Sequence, residues 1–141
     1  MTMKDLHTTN YFNTFIEVAD DCKALESEIP PMRGETLSVA NIQFDMISKN
    51  PYRYTSDDVI FNCYAVKNEL TSKELKKERT IFYSKGQACL RCSPLPKRYG
   101  WGIHYNKEGK VALVVMGSQE YEKLATDPKM NHVKAMRPRR A

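Results

Sequence analysis

Polar and apolar side chains alternate through Asn13-Thr14-Phe15-Ile16-Glu17-Val18-Ala19, the period of a half-buried strand, and Asp20-Asp21 and Pro30-Pro31 bound the loop that follows. From Thr36 to Lys49, Leu37, Ala40, Phe44 and Ile47 fall three, four and three apart. That spacing puts them on one face of a helix that stops before Asn50-Pro51. Ser56 followed by Asp57-Asp58 has the character of an N-cap with acids in the first turn, which predicts a helix over Val59 to Lys67. Val59, Phe61, Cys63 and Ala65 also alternate as a strand would. Thr71-Ser72-Lys73-Glu74 carries the reciprocal capping pattern, so a helix is expected from about 72 to 85, closed by Gly86 in a left-handed turn.

The strongest element lies further on. Tyr99-Gly100-Trp101-Gly102-Ile103-His104-Tyr105 and Lys110-Val111-Ala112-Leu113-Val114-Val115-Met116 flank Asn106-Lys107-Glu108-Gly109, a hairpin link with Gly available for a positive φ. Ser118-Gln119-Glu120 then caps a helix whose Tyr121, Leu124 and Ala125 share a face before Asp127-Pro128. A hairpin needs a third strand and a helical cover. The expected fold is therefore α+β, a small antiparallel sheet of the N-terminal strand plus the C-terminal hairpin, covered by helices.

Composition narrows this picture. With 141 residues, 41% of them hydrophobic, and only 6 Gly and 7 Pro, the chain is expected to be a single domain, 1–141, with one modest core. No apolar run approaches the ~20 residues that cross a bilayer, and the N-terminus lacks the apolar centre of a signal peptide. A cytoplasmic protein without a membrane partner is the expectation. The net charge of +5 is uneven: residues 1–84 hold 10 basic and 13 acidic side chains, 85–127 hold 7 and 4, and 128–141 hold 5 basic and none acidic. The tail from about 128 is expected to be loosely held and basic, either touching phosphates or simply solvated.

Four cysteines, Cys22, Cys63, Cys89 and Cys92, in a chain without a secretory signal are expected to be free thiols. Cys89-Leu90-Arg91-Cys92 has the spacing of a metal knuckle, yet no second Cys or His pair completes a tetrahedral set, so no metal and no cofactor are expected. Ser93-Pro94-Leu95-Pro96 follows at once, and prolines disfavour a helix running through the second Cys as a thioredoxin-like pair requires.

Candidate chemistry concentrates between Lys85 and Lys110. Lys85, Arg91, Lys97, Arg98, Lys107 and Lys110 surround Tyr99, Trp101 and Tyr105, with Glu108 as the one acid. Positive charge beside aromatic faces is what a phosphate groove or a base-stacking surface is built from. Arg91, Lys97, Arg98, Tyr99 and Trp101 are the expected ligand-binding residues, for an anionic small molecule, a nucleotide or nucleic acid. A lone Trp between glycines is equally the pattern of a core anchor over which another backbone passes. His104 faces away from Trp101 on a strand and reads as a surface histidine; Cys89 and His104 are the candidate catalytic pair, with Arg91 between the thiols favouring a thiolate. Gly100-x-Gly102 lacks the third Gly of a dinucleotide fingerprint and opens a strand rather than a helix. Asp20-Asp21 and Asp57-Asp58 read as loop and cap residues.

Three stretches together resemble a family of short, uncharacterised, mostly bacterial proteins filed as a domain of unknown function. They are Asn10-Tyr11-Phe12-Asn13-Thr14-Phe15-Ile16-Glu17-Val18-Ala19, Lys49-Asn50-Pro51-Tyr52-Arg53-Tyr54-Thr55-Ser56-Asp57-Asp58-Val59, and Gly86-Gln87-Ala88-Cys89-Leu90-Arg91 through Tyr99-Gly100-Trp101-Gly102-Ile103-His104. The resemblance spans nearly the whole chain and implies no assigned activity; in its pattern Ser or Ala commonly stands at Cys92, which argues against a shared metal role. Three functions stay open: a binding module on residues 85–105, a thiol enzyme or redox protein using Cys89, and a protein-interaction module.

Overall fold

A computed structural model of the protein describes residues 6–32 and 34–136. Strand β1 (Thr14–Glu17) is followed by helices α1 (Val39–Lys49), α2 (Ser56–Lys67) and α3 (Leu75–Phe82). A 3-10 turn over Leu90–Cys92 leads into α4 (Pro94–Arg98), the hairpin β2 (Trp101–Tyr105) and β3 (Val111–Val115), helix α5 (Gln119–Thr126) and strand β4 (Asn131–Lys134). The four strands form one sheet in the order β3-β2-β1-β4, so the α+β arrangement of an N-terminal strand with a C-terminal hairpin is observed.

Two segments differ from expectation. Part of the tail expected to be loose forms β4, which runs parallel to β1 with Phe15 opposite His132 and Ile16 opposite Val133; Ala135 beyond it is buried. Alternation over four mostly exposed residues is too weak to announce a strand; the pairing with β1 supplies it. Residues 137–141, which hold the end of the basic tail, lie outside the described residues. The second difference is α4. Its prolines occupy the first and third helical positions, where a backbone N–H has no partner within the helix, so they start the helix rather than break it. Ser93 caps it by accepting from the Leu95 amide at 3.1 Å.

The remaining helices follow their sequence signals with shifted ends. Helix α1 begins at Val39 because Ser38 and Asn41 form a capping box, which leaves Leu37 outside the helix and exposed while Ala40 and Ile47 are buried. In α2 the cap is Thr55, boxed with Asp58, and not Ser56; Ser56 is the first helical residue and wholly buried. The ambiguous alternation in α2 has a packing cause. Val59 enters the main core with Ile16, Leu90 and Tyr105, whereas Phe61 and Ala65 turn to a second cluster with Tyr83, so the helix is buried on two sides. Helix α3 is shorter than expected. The Glu74 carboxylate accepts from the Thr71 amide and hydroxyl, but the Thr71 side chain caps nothing in return, and Gly86 is not left-handed.

The hairpin link behaves as its residues require: Gly109 has φ +82, and Asn106 Oδ1 accepts from the amides of Glu108 and Lys110. The outer edge of β3 is partly occupied by residues 52–55, through Tyr52 N–H to Val111 O and Val111 N–H to Tyr54 O, each 2.9 Å. One sheet face, with Ile16, Ile103, Tyr105 and Val111, packs under α1, α2 and α4. The other carries Phe15, Gly102 and His104 and meets α5, whose Tyr121 ring is edge-on to Phe15 at 4.9 Å. No helix among the described residues is long and apolar enough to cross a membrane.

Gly102 is the tightest point of that second face. A Cβ there would stand 2.8 Å from the Phe15 ring and 2.9 Å from Tyr121. Gly102→Ala is expected to lower stability by about 1–3 kcal/mol through overpacking, read as a reduced urea midpoint at unchanged slope.

Candidate functional site

The cations and aromatics expected on one surface are distributed over three places. Trp101 is half-buried on α1, its ring 5.3 Å from Phe44 and its Nε1–H donating to the Glu28 carbonyl at 2.7 Å. The chain at 26–28 passes directly over the preceding residue, Gly100, where a Cβ would lie 2.9 Å from Glu26 O. The indole is thus the packing anchor that its flanking glycines suggested. Arg91 turns to the opposite end of the sheet: its Nε–H donates to Lys134 O, and its own carbonyl accepts from the Met136 amide, both at 2.8 Å. Lys97 is half-exposed.

Arg98 and Tyr99 meet a cavity. They line a cleft of about 260 Å³ between α4 and the start of α1, together with Pro31, Thr36, Ser38 and Asn41. Among the described residues no acidic side chain lines it, and α1 has no acid in its first turn. The amides of Val39 and Ala40 open that helix, so no carbonyl one turn earlier within it accepts from them. Ser38 and Asn41 are already engaged, Ser38 Oγ donating to Asn41 Oδ1 at 2.7 Å and Asn41 Nδ2 donating to Pro30 O at 3.1 Å.

His104 lies on the other sheet face from Tyr105, and so away from Cys89. Its Nδ1 is 2.7 Å from the hydroxyl of Tyr52, the two rings edge-on at 5.5 Å. Burial lowers the His104 pKa, with Glu120 pulling weakly the other way, and burial raises that of Tyr52. A neutral imidazole with its proton on Nε2 accepts from the Tyr52 hydroxyl at Nδ1. Tyr52 holds φ +59, a conformation costly for an aromatic residue, in the Asn50-Pro51 turn that its amide pins to β3.

Cys89 has a different neighbourhood. It is half-buried, and its Sγ is 3.6 Å from the Tyr11 hydroxyl. The Tyr11 ring stands edge-on to Tyr105 at 5.4 Å. Burial and the nearby thiol raise the Tyr11 pKa, and Arg91 opposes them. Tyr105 is 0% exposed, its hydroxyl has no hydrogen-bond partner among the described residues, and Ser56, Cys89, Tyr11 and Asp57 surround it. Burial drives its pKa far above the phenol range. Thr9 Oγ1 donates to Asp57 at 2.7 Å, so Ser56 gives its own proton to Thr9 at 2.9 Å and has none to offer the Tyr105 oxygen. Asp57 further accepts from the Thr8 hydroxyl and the Thr9 amide, which fastens residues 8–11 to the start of α2.

Sequence reasoning singled out Cys89 and Arg91 here but missed Tyr11, Ser56 and Thr9. A signal existed: Tyr11, Ser56 and Cys89 come one from each of the three stretches that carry the family resemblance. A larger cleft, about 650 Å³ between α1 and α2, is mainly apolar and includes Ile29, Met32, Leu37 and Val66. No group of three His, Cys, Asp or Glu side chains suited to a metal occurs among the described residues. Residues 6–141 match a family model described as a family of unknown function, DUF6157. No curated protein and no solved structure matches the chain.

Two outcomes follow from these environments. Tyr105→Phe removes a buried hydroxyl that nothing accepts from, and is expected to raise stability by about 1 kcal/mol, visible as a higher urea midpoint. His104 has a folded pKa below its ordinary 6.5, so between those values the unfolded chain binds more protons. Its contribution is complete above about pH 6.5 and is lost as pH falls through the folded value; unfolding midpoints at about pH 7 and pH 5.5 should differ less in His104→Gln than in wild type.

Proposed function

We propose a function from geometry, because the chain belongs to the DUF6157 family of unknown function: it is a small cytoplasmic binding protein that holds a compact anion in the cleft between α1 and α4. The observation that carries this reading is an acid-free hollow with Arg98 on one wall and the opening turn of an 11-residue helix on the other. A guanidinium and the positive end of a helix dipole both favour negative charge, and the amides of Val39 and Ala40 are donors without an acceptor in the helix. At about 260 Å³ the cleft suits a phosphate group or a small carboxylate. Tyr99 supplies an aromatic wall, whereas the indole of Trp101 packs against Phe44 and donates to the Glu28 carbonyl. A mononucleotide would enter by its phosphate; an extended nucleic acid is not favoured.

Titration with inorganic phosphate, followed by backbone amide NMR, tests this. Val39 to Asn41 and Arg98 are expected to shift together and saturably, and Arg98→Ala to weaken binding by about ten- to a hundredfold, the worth of one or two charge-assisted hydrogen bonds. Lys107→Ala, on the hairpin link, should bind as wild type does. Equal affinity of the Arg98→Ala protein, or no shift at millimolar phosphate, removes the reading.

A further inference from the structure

Cys89 and Cys92 stand at the two ends of one 3-10 turn, closed by Cys92 N–H to Cys89 O at 3.0 Å. A turn with that bond keeps its end Cα atoms within about 7 Å, and a disulfide spans about 4.4–6.8 Å. The two thiols differ in setting: Cys92 is exposed, while Cys89 faces inward to the Tyr11 hydroxyl. Beside them lies the Tyr105 hydroxyl, on a fully buried side chain and without a hydrogen-bond partner among the described residues. A buried O–H that meets no acceptor in hydrogen-bonding geometry among the described residues, next to a thiol, marks a place for an oxygen atom that the reduced protein lacks. Arg91 is held there by the Lys134 carbonyl through Nε, which leaves the rest of its guanidinium near Tyr11.

We propose that Cys89 is a hydroperoxide-reactive thiol and that Cys92 resolves its oxidised form as an intramolecular disulfide. The Cys89 thiolate attacks one peroxide oxygen; an S–O bond forms, the O–O bond breaks, and the alkoxide or hydroxide leaves with the electron pair and takes up a proton. Sulfur is oxidised by two electrons and the peroxide is reduced. The sulfenic acid places its new oxygen among the Tyr11 and Tyr105 hydroxyls. The Cys92 thiolate then attacks Cys89 Sγ, an S–S bond forms, the S–O bond breaks, and hydroxide leaves to become water on protonation. Tyr11 acts by donating toward the sulfur anion, and Arg91 acts through Tyr11. This reading involves none of the residues of the anion cleft, so either stands without the other.

The test treats the reduced full-length chain with one equivalent of hydrogen peroxide, quenches at intervals by alkylation, and maps the thiols by mass spectrometry. Two of the four thiols are expected to disappear, joined as Cys89–Cys92 and restored by dithiothreitol. Cys89 should react about tenfold faster than Cys22 in the same molecule. Buried Cys63, whose thiol burial pushes up in pKa, should stay unmodified and so report an intact fold. Cys92→Ser should halt at a sulfenic acid on Cys89, trapped by a cyclic 1,3-dione, and Tyr11→Phe should slow Cys89 about tenfold without changing Cys22. Oxidation of Cys89 no faster than Cys22, or a wild-type product without the Cys89–Cys92 link, overturns the proposal.

Discussion

Strand β1 is the constraint on which the rest of the molecule depends. Its four residues are hydrogen-bonded along both edges, to β2 on one side and β4 on the other, and both Phe15 and Ile16 are 0% exposed. Because it is central, its register decides which way every neighbour faces. Ile16 aligns Ile103 and Val133 toward the helical layer, and Phe15 aligns His104 and His132 toward α5. A slip of one residue would exchange the two faces throughout the sheet. The same strand delivers Tyr11, just upstream, to the ring of Tyr105, while Asp57 fixes the chain before it.

Elements with strong local signals were legible. The hairpin, with Gly109 and Asn106 at its link, and the capped helices α1 and α5 needed only their own residues to specify them. Strand β4 and helix α4 were not legible, for opposite reasons. Asn131-His132-Val133-Lys134 has no alternation of its own and becomes a strand by pairing with β1. Pro94 and Pro96 read as helix breakers unless the start of the helix is known to fall between Ser93 and Pro94. Helix α2 was ambiguous because two cores claim different sides of it.

The candidate sites were legible only in part, because adjacency in sequence says little about where long side chains end. Arg91 and Arg98 are seven residues apart, yet one is captured by a carbonyl of β4 and the other lines the cleft at α1. A short helix between them turns the chain around. The cluster at Cys89 collects residues from three distant segments, and no single motif could announce it. Its most telling member, the Tyr105 hydroxyl, is informative through what it lacks, which a sequence does not record.

The central place of β1 has a consequence for biosynthesis. A strand near the start of the chain is sandwiched between partners that begin at Trp101 and Asn131, so on the ribosome Phe15 and Ile16 emerge long before either seat exists. Those two side chains must remain unshielded, or be sheltered by a chaperone, until the chain has been translated through Lys134, and the sheet can close only then.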